Sequence, residues 1–475
     1  MDFLNNTILN IFLLTPLVFV LLNGAFIFIK NPIYIKNLNR FFFLVQFLFT
    51  VVLLVFFKDT QTTFFKFDFS FDSLSSILVF VNSLVFFLFS VVSKTFFVKL
   101  IRTKYITLLM LNAVSNIFLL SDNIFLNLTS VFWILLIQHY LNQVSNEDKK
   151  PNNRLAIDLF WFILGCFLIT VHFLRYFLIN EIPFNFSNIT ANLYHINDFY
   201  VLLAFFGFLI IIFRLFKFIP FYTQRITCPF VSGLNTISSL ILGSFLFVKT
   251  YLVFDYLYYQ YQNYIVLFLL FNFIYFLLFN IYQKKLIDFA NSSLAANLLI
   301  CLFLLFSFED SGFVMLVYSL VVLILSYTFI YFILSILANR FNIDSFESMK
   351  KIDNKDRLAK FFIAVSFLNI SKVPLLPMFI AMFNGFLVIF SYEFESNVLN
   401  LSVWTLVLGA FILSLSSLFA LLKILVSPIR KGKKSVFCFH QIAVFWILTL
   451  ILLFLGIAPN FSFDYIVSTF GSGIF

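Results

Sequence analysis

Apolar runs of about 17 to 25 residues recur from one end of this 475-residue chain to the other, and no other feature limits its fold as strongly. In a helix rising ~1.5 Å per residue, a run of that length covers the ~30 Å hydrocarbon layer of a bilayer. Roughly fourteen can be marked. Their cores lie near 8–29, 41–57, 73–93, 105–120, 124–141, 155–176, 199–218, 231–253, 264–281, 294–308, 312–337, 358–390 (interrupted), 401–426 and 441–457. Helices are required, because a strand facing lipid leaves its backbone unpaired and no alternating barrel pattern is present. The expected fold class is all-α: a polytopic transmembrane bundle forming a single domain over 1–475.

Composition agrees. Only 11% of residues are charged, where a water-facing protein carries about 25%, so this chain has too little polar surface for water. The 31 Lys and Arg outnumber the 21 Asp and Glu, an excess that in a soluble protein would suggest nucleic acid. Here the cations sit in short connections, such as Lys99, Arg102 and Lys104 or Lys284 and Lys285, where they set membrane orientation. Cys166, Cys228, Cys301 and Cys438 are too far apart for a disulfide framework or a CxxC metal site and read as small core residues. No phosphate-cradling loop, metal cluster or catalytic triad is visible, which argues against redox or hydrolytic chemistry by this chain alone.

The opening Met1-Asp2-Phe3-Leu4 shows neither an amphipathic presequence nor a basic stretch ahead of a short apolar core, so no import signal is expected. With 77 Phe and only 12 Gly and 10 Pro, the composition favours residues with A/T-rich codons and points to an organelle-encoded gene.

Ionisable residues inside apolar runs carry the functional signal, since a lysine at mid-membrane costs roughly 2.5–3.5 kcal/mol on insertion scales. Lys217 precedes the helix-ending Pro220. Lys249 lies well inside its run. Lys372 directly precedes Pro374 and Pro377, which should break a span at a place where freed carbonyls could hold a cation. Asp158 lies one turn after Arg154, so an i,i+4 pair at a helix entrance is its default reading. His139, His172 and Arg175 could lend groups to a water chain, but a satisfied histidine at a helix interface is the commoner case.

Four stretches carry a family resemblance: Arg154 to Asp158 with Phe162-Ile163-Leu164-Gly165; Leu215-Phe216-Lys217 with Pro220-Phe221-Tyr222; Lys284 through Leu294; and Leu368 through Phe383. Their order and spacing over about 105–400 resemble the antiporter-like membrane subunits of respiratory complex I, most closely the subunit 2 family of NADH dehydrogenase, with subunit 4 the near rival. The resemblance implies an antiporter-like bundle with broken helices, N-terminal helices in 1–104, a proton-translocating core in 105–400 and C-terminal helices in 401–475. It implies proton translocation coupled to electron transfer from NADH to ubiquinone in the mitochondrial inner membrane. This chain would hold no cofactor or metal; NADH, FMN, iron–sulfur clusters and ubiquinone would sit in other subunits. Partners would be other membrane-arm subunits and lipids, cardiolipin included, and no nucleic acid.

Carried over by position, Lys217 fits the family's seventh-helix lysine. With Lys249, Lys372 and Asp158 it makes up the candidate relay. Elsewhere the pattern departs. Trp133 stands where the fifth-helix glutamate should be, Leu240 replaces the eighth-helix lysine, Met382 the twelfth-helix ionisable residue and Ala296 a histidine. None of these four side chains can pass a proton, so the relay expected is a reduced one, or the subunit is a scaffold.

Overall fold

The computed structural model describes residues 2–25, 31–56, 60–64, 67–93, 96–97, 100–145, 159–171, 185–186, 198–216, 228–307, 310–341, 343–348, 357–391, 397–425 and 437–470. These form two compact units, Met1–Tyr258 and Tyr259–Phe475. The first contains α1 (Asp2–Ala25), α2 (Pro32–Phe56), β1 (Thr60–Phe64), β2 (Phe67–Phe71), α3 (Ser73–Val92), α4 (Ile101–Leu120), α5 (Ile124–Ser145), α6 (Leu159–Val171), α7 (Asp198–Leu215) and α8 (Pro229–Val253), and its boundary falls within the short α9 (Asp255–Gln260). The second contains α10 (Gln262–Tyr282), α11 (Leu286–Phe303), α12 (Asp310–Phe341), α13 (Arg357–Ile370), α14 (Pro377–Ser391), α15 (Asn397–Leu425), α16 (Phe439–Ile457) and α17 (Pro459–Phe470).

Eleven of these helices are long and apolar enough to cross a membrane. With the shorter apolar α6 and α7 and the pair α13/α14, they account for the apolar runs read in the sequence. The fold is thus the polytopic helical bundle with a broken span that the sequence predicts. Prolines mark several entrances, at Pro32, Pro229, Pro377 and Pro459, because the first helical position has no use for an N–H.

Two close approaches depend on glycine. A Cβ on Gly165 of α6 would lie 2.9 Å from the Gly207 carbonyl oxygen of α7, and one on Gly207 would lie 2.7 Å from that of Gly165. Only two facing glycines let these backbones meet, a small-residue crossing common between membrane helices. This gives a packing reason for the glycine that ends Phe162-Ile163-Leu164-Gly165.

One element differs from expectation. Residues 58–72, which fall between the apolar runs 41–57 and 73–93, contain the antiparallel hairpin β1–β2, in register Thr60 opposite Phe71. The physical reason is a short period-two pattern: Phe69 and Phe71 are buried while Asp68 and Ser70 alternate to the other face. The hairpin is tied down by Asp122 N–H donating to the Asp68 carbonyl at 3.1 Å, and by the Asn185 amide on the Asp68 carboxylate. Its exit delivers Asp72 to the start of α3, where Oδ1 caps the helix by accepting the Ser75 N–H at 2.7 Å.

Candidate functional site

The break between α13 and α14 is built from local backbone chemistry. Pro374 and Pro377 cannot continue a helix, and α13 stops at Ile370 with its Leu368 and Asn369 carbonyls bonded by the residues that follow. Val373 N–H donates to the Leu368 carbonyl at 3.2 Å and Lys372 N–H to the Asn369 carbonyl at 3.0 Å. That pair of bonds is a Schellman motif, whose left-handed position normally belongs to glycine. Lys372 occupies it, with φ of 55°. A non-glycine residue there costs about 1–2 kcal/mol, so the lysine is held in place by its surroundings.

The chain then turns through Val373-Pro374-Leu375-Leu376, closed by Leu376 N–H on the Val373 carbonyl at 3.2 Å. Proline at the second position and a positive φ at the third, 74° for Leu375, are the marks of a type II turn. Asn369 spans the break: its Oδ1 accepts the Met378 N–H of α14 at 3.3 Å, and its Nδ2 donates to Ser326 Oγ of α12 at 2.6 Å. One fully buried carboxamide therefore supplies a partner for the free N-terminus of the second half-helix.

At the α13 end the Leu368 and Asn369 carbonyls are taken by the Val373 and Lys372 N–H groups rather than left open for a cation. Lys372 instead reaches α15, where Nζ donates to the Ala410 carbonyl at 3.2 Å. The site is a single lysine fixed by an unusual backbone conformation and bonded to backbone oxygen.

Lys249 belongs to the first unit, one turn from the end of α8, and is ion-paired with Asp72. It also lies over the Phe245 ring, 5.7 Å from the centroid. Burial pushes the Asp72 carboxyl upward, but the Lys249 ammonium and the Ser75 N–H outweigh this and hold it below the usual carboxylate range.

Around Leu240, where the sequence resemblance implies a charge, the first unit has neutral polar groups. Leu240 is buried at the centre of α8, and beside it Ser239 accepts from Gln138 Nε2 of α5 at 3.2 Å. Asn235 Nδ2 continues the cluster to Asn142 Oδ1 at 3.2 Å. Trp133 is 55% exposed and does not face this cluster's interior. Between α3 and α4, Asn82 Nδ2 donates to Asn116 Oδ1 at 2.9 Å and Asn112 Oδ1 at 3.3 Å. In the second unit, Met382 and Ala296 are both buried.

Lys217 and Asp158 lie outside the described residues, as do Arg154, His172 and Arg175. His139 is described and bonds Gln143 at 2.8 Å, one turn along its own helix. Among the described residues no group of three His, Cys, Asp or Glu could hold a metal ion. Residues that sequence reasoning passed over include Asp72, signalled only as a helix cap, and Asn369, signalled only by its place ahead of the prolines.

The chain is similar in fold to solved membrane-complex chains. One belongs to respiratory complex I from Thermus thermophilus with bound NADH (TM-score 0.78, 14% identity, 96% of this chain and 98% of that one). Another belongs to the Mrp complex from Dietzia sp. DQ12-45-1b (TM-score 0.77, 11% identity, 98% of each chain). A third belongs to the membrane-bound sulfane sulfur reductase, an archaeal respiratory membrane complex (TM-score 0.77, 12% identity, 98% of this chain and 97% of that one). No protein-family model matches the sequence, and no curated protein does. At such low identity the likeness is one of fold.

Proposed function

We propose that this chain is a membrane-arm subunit of an NADH:ubiquinone oxidoreductase of the complex I type, contributing to proton translocation coupled to electron transfer. The observation that carries the reading is the fold likeness, over 96% of the chain, to a chain of the Thermus respiratory complex with bound NADH. In this reading 1–475 acts as one antiporter-like domain with 105–400 as its translocating module. The chain holds no cofactor; NADH, FMN, iron–sulfur clusters and ubiquinone belong to other subunits. Its partners are those membrane-arm subunits and bilayer lipids such as cardiolipin. The order of its motifs favours subunit 2 over subunit 4, and its codon-biased composition favours an organellar gene and the mitochondrial inner membrane.

The relay is Lys217, Lys249, Lys372 and Asp158, with unequal parts. Lys249 is committed to Asp72 and serves mainly to hold the hairpin exit against α8. Lys372 is the residue best placed to bind and release a proton at Nζ. As an ammonium it makes a charge-assisted bond to the Ala410 carbonyl, and that bond weakens when the proton leaves. Proton occupancy is thereby coupled to the grip of the helix break on α15.

The neutral Gln138–Ser239 and Asn235–Asn142 contacts favour a second reading for the first unit alone, as a scaffold that stores no proton at its centre. The test of the main reading is purification of the native assembly in mild detergent. The chain is expected to co-migrate with flavin- and iron–sulfur-containing proteins and with NADH-oxidising activity. Migration alone, or with none of these, would identify an independent transporter instead.

A further inference from the structure

The outward faces of α10 and α15, both in the second unit, share one pattern. The two helices pack together and run in the same direction: Gly409 of α15 sits against the Phe273 ring of α10, and seven residues further along each helix Ser416 Oγ donates to Asn280 Oδ1 at 2.8 Å. Small and polar residues thus turn inward, where membrane helices use them to pack and to bond. The outward stripes hold none. Between Tyr264 and Tyr282 every exposed residue of α10 is large and apolar, and the same holds for α15 from Trp404 to Leu422. Their spacing of three and four residues keeps each stripe on one side of its helix.

Both stripes are bounded at the depths of a bilayer. Tyr264 and Tyr282 are 73% and 79% exposed, and the helical rise between them is ~27 Å, close to the ~30 Å of the hydrocarbon layer. On α15, Trp404 and Lys423 are ~28 Å apart by the same rise. Tyrosine and tryptophan favour the headgroup level, and lysine reaches past it to water. At the Tyr282 end, Lys284, Lys285 and Lys423 are all exposed. Phe346 joins them: its N–H donates to the Lys284 carbonyl at 3.2 Å, and Lys423 Nζ lies 5.7 Å from its ring centroid. Asp344 and Glu347 are exposed on the same segment, yet among the described residues none of the three lysines is ion-paired. A neighbouring protein helix would call for glycine or polar groups on these stripes and would leave an aromatic belt at each end without a role.

We propose that the outer faces of α10 and α15 are the lipid boundary of this subunit. Phospholipid acyl chains cover the two apolar stripes, and headgroup phosphates meet the ammonium groups of Lys284, Lys285 and Lys423. Each lysine then gains an anionic partner without leaving water. This goes beyond the function proposed above, because it assigns the side that neighbouring subunits leave open, whatever redox chemistry they carry.

The test reconstitutes the native assembly in phosphatidylcholine vesicles holding one of two photoactivatable phospholipids, with a diazirine either in the middle of an acyl chain or on the headgroup. Labelled peptides are mapped by mass spectrometry after irradiation. The acyl-chain probe is expected to mark α10 around Phe271 and α15 around Phe411 at several times the level of α12, whose span is almost wholly buried. The headgroup probe should instead mark 282–285 and Lys423. A protein seated on this side would shield both stripes, so acyl-chain label on α10 and α15 no higher than on α12, with other helices of the assembly marked, overturns the assignment. Headgroup label that spares all three lysines while it marks other segments overturns the phosphate contact. Neither probe needs NADH oxidation, so failure of the redox assignment leaves the labelling pattern readable.

Discussion

Replacing Gly456 with valine is expected to destabilise the second unit by about 3 kcal/mol, at the upper end of the range for overpacking a tight interior. Gly456 lies on α16 against the helix break. Even a bare Cβ there would meet the Leu375 carbonyl oxygen at 2.4 Å, Pro377 N at 3.1 Å and Pro377 Cδ at 3.2 Å. These are backbone and ring atoms, fixed by the type II turn and by proline, so no rotamer change relieves the clash. Gly24 of α1 provides the control, because a Cβ there meets nothing within 4 Å. Gly24→Ala should leave the thermal midpoint of the purified assembly unchanged or slightly raised, since alanine favours helix, while Gly456→Val lowers it by several degrees. Equal midpoints for the two variants would mean that α16 does not approach the break.

Removing the charge from Asp72 should cost roughly 2–3 kcal/mol, less than a fully buried pair because its side chain is 33% exposed. Asp72→Asn keeps a good helix cap for Ser75, so the loss isolates the ion pair from the cap. Lys249, only 13% exposed, loses its ion-pair partner. Adding Lys249→Met to Asp72→Asn should recover most of the loss, which a double-mutant cycle on thermal stability would measure. The pH dependence has a definite sign. Folding holds the Asp72 carboxyl below its ordinary value near 3.9, so the pair stabilises fully above that value and is lost as pH falls through the lower folded one. The gap between wild type and Asp72→Asn is therefore expected to be constant from neutral to mildly acidic pH and to close only in strong acid.

The spans are legible in the sequence because membrane thickness imposes a run length that composition cannot hide. The break is legible from Pro374 and Pro377, whose missing N–H groups stop any helix. Its geometry is not, since nothing in a one-dimensional pattern forecasts a lysine where Schellman motifs carry glycine. The hairpin is masked by its shortness: Phe67, Phe69 and Phe71 alternate with polar residues, but over too few positions to stand out among so many phenylalanines.

Site residues show the same division. Lys249 is conspicuous as a charge in an apolar run, yet its partner Asp72 lies 177 residues away, beyond any local spacing rule. Lys249 lies one turn from the end of α8, where its ion pair with Asp72 makes its burial tolerable. The neutral groups near Leu240 carry no sequence signal, because serine and asparagine in membrane helices most often bond their own or a neighbouring backbone. Ser244 does so, donating to the Leu240 carbonyl at 2.7 Å. Only the packed structure separates Gln138, Ser239 and Asn235, which join α5 to α8, from such residues.

The central claim is that the lysine in the helix break carries protons. Its most direct test is the number of protons translocated per NADH oxidised by membrane vesicles holding the complex with Lys372→Met, compared at equal assembly and equal NADH oxidation. The account predicts a lower ratio with electron transfer preserved. A ratio equal to that of the wild type would contradict it and leave this chain a scaffold.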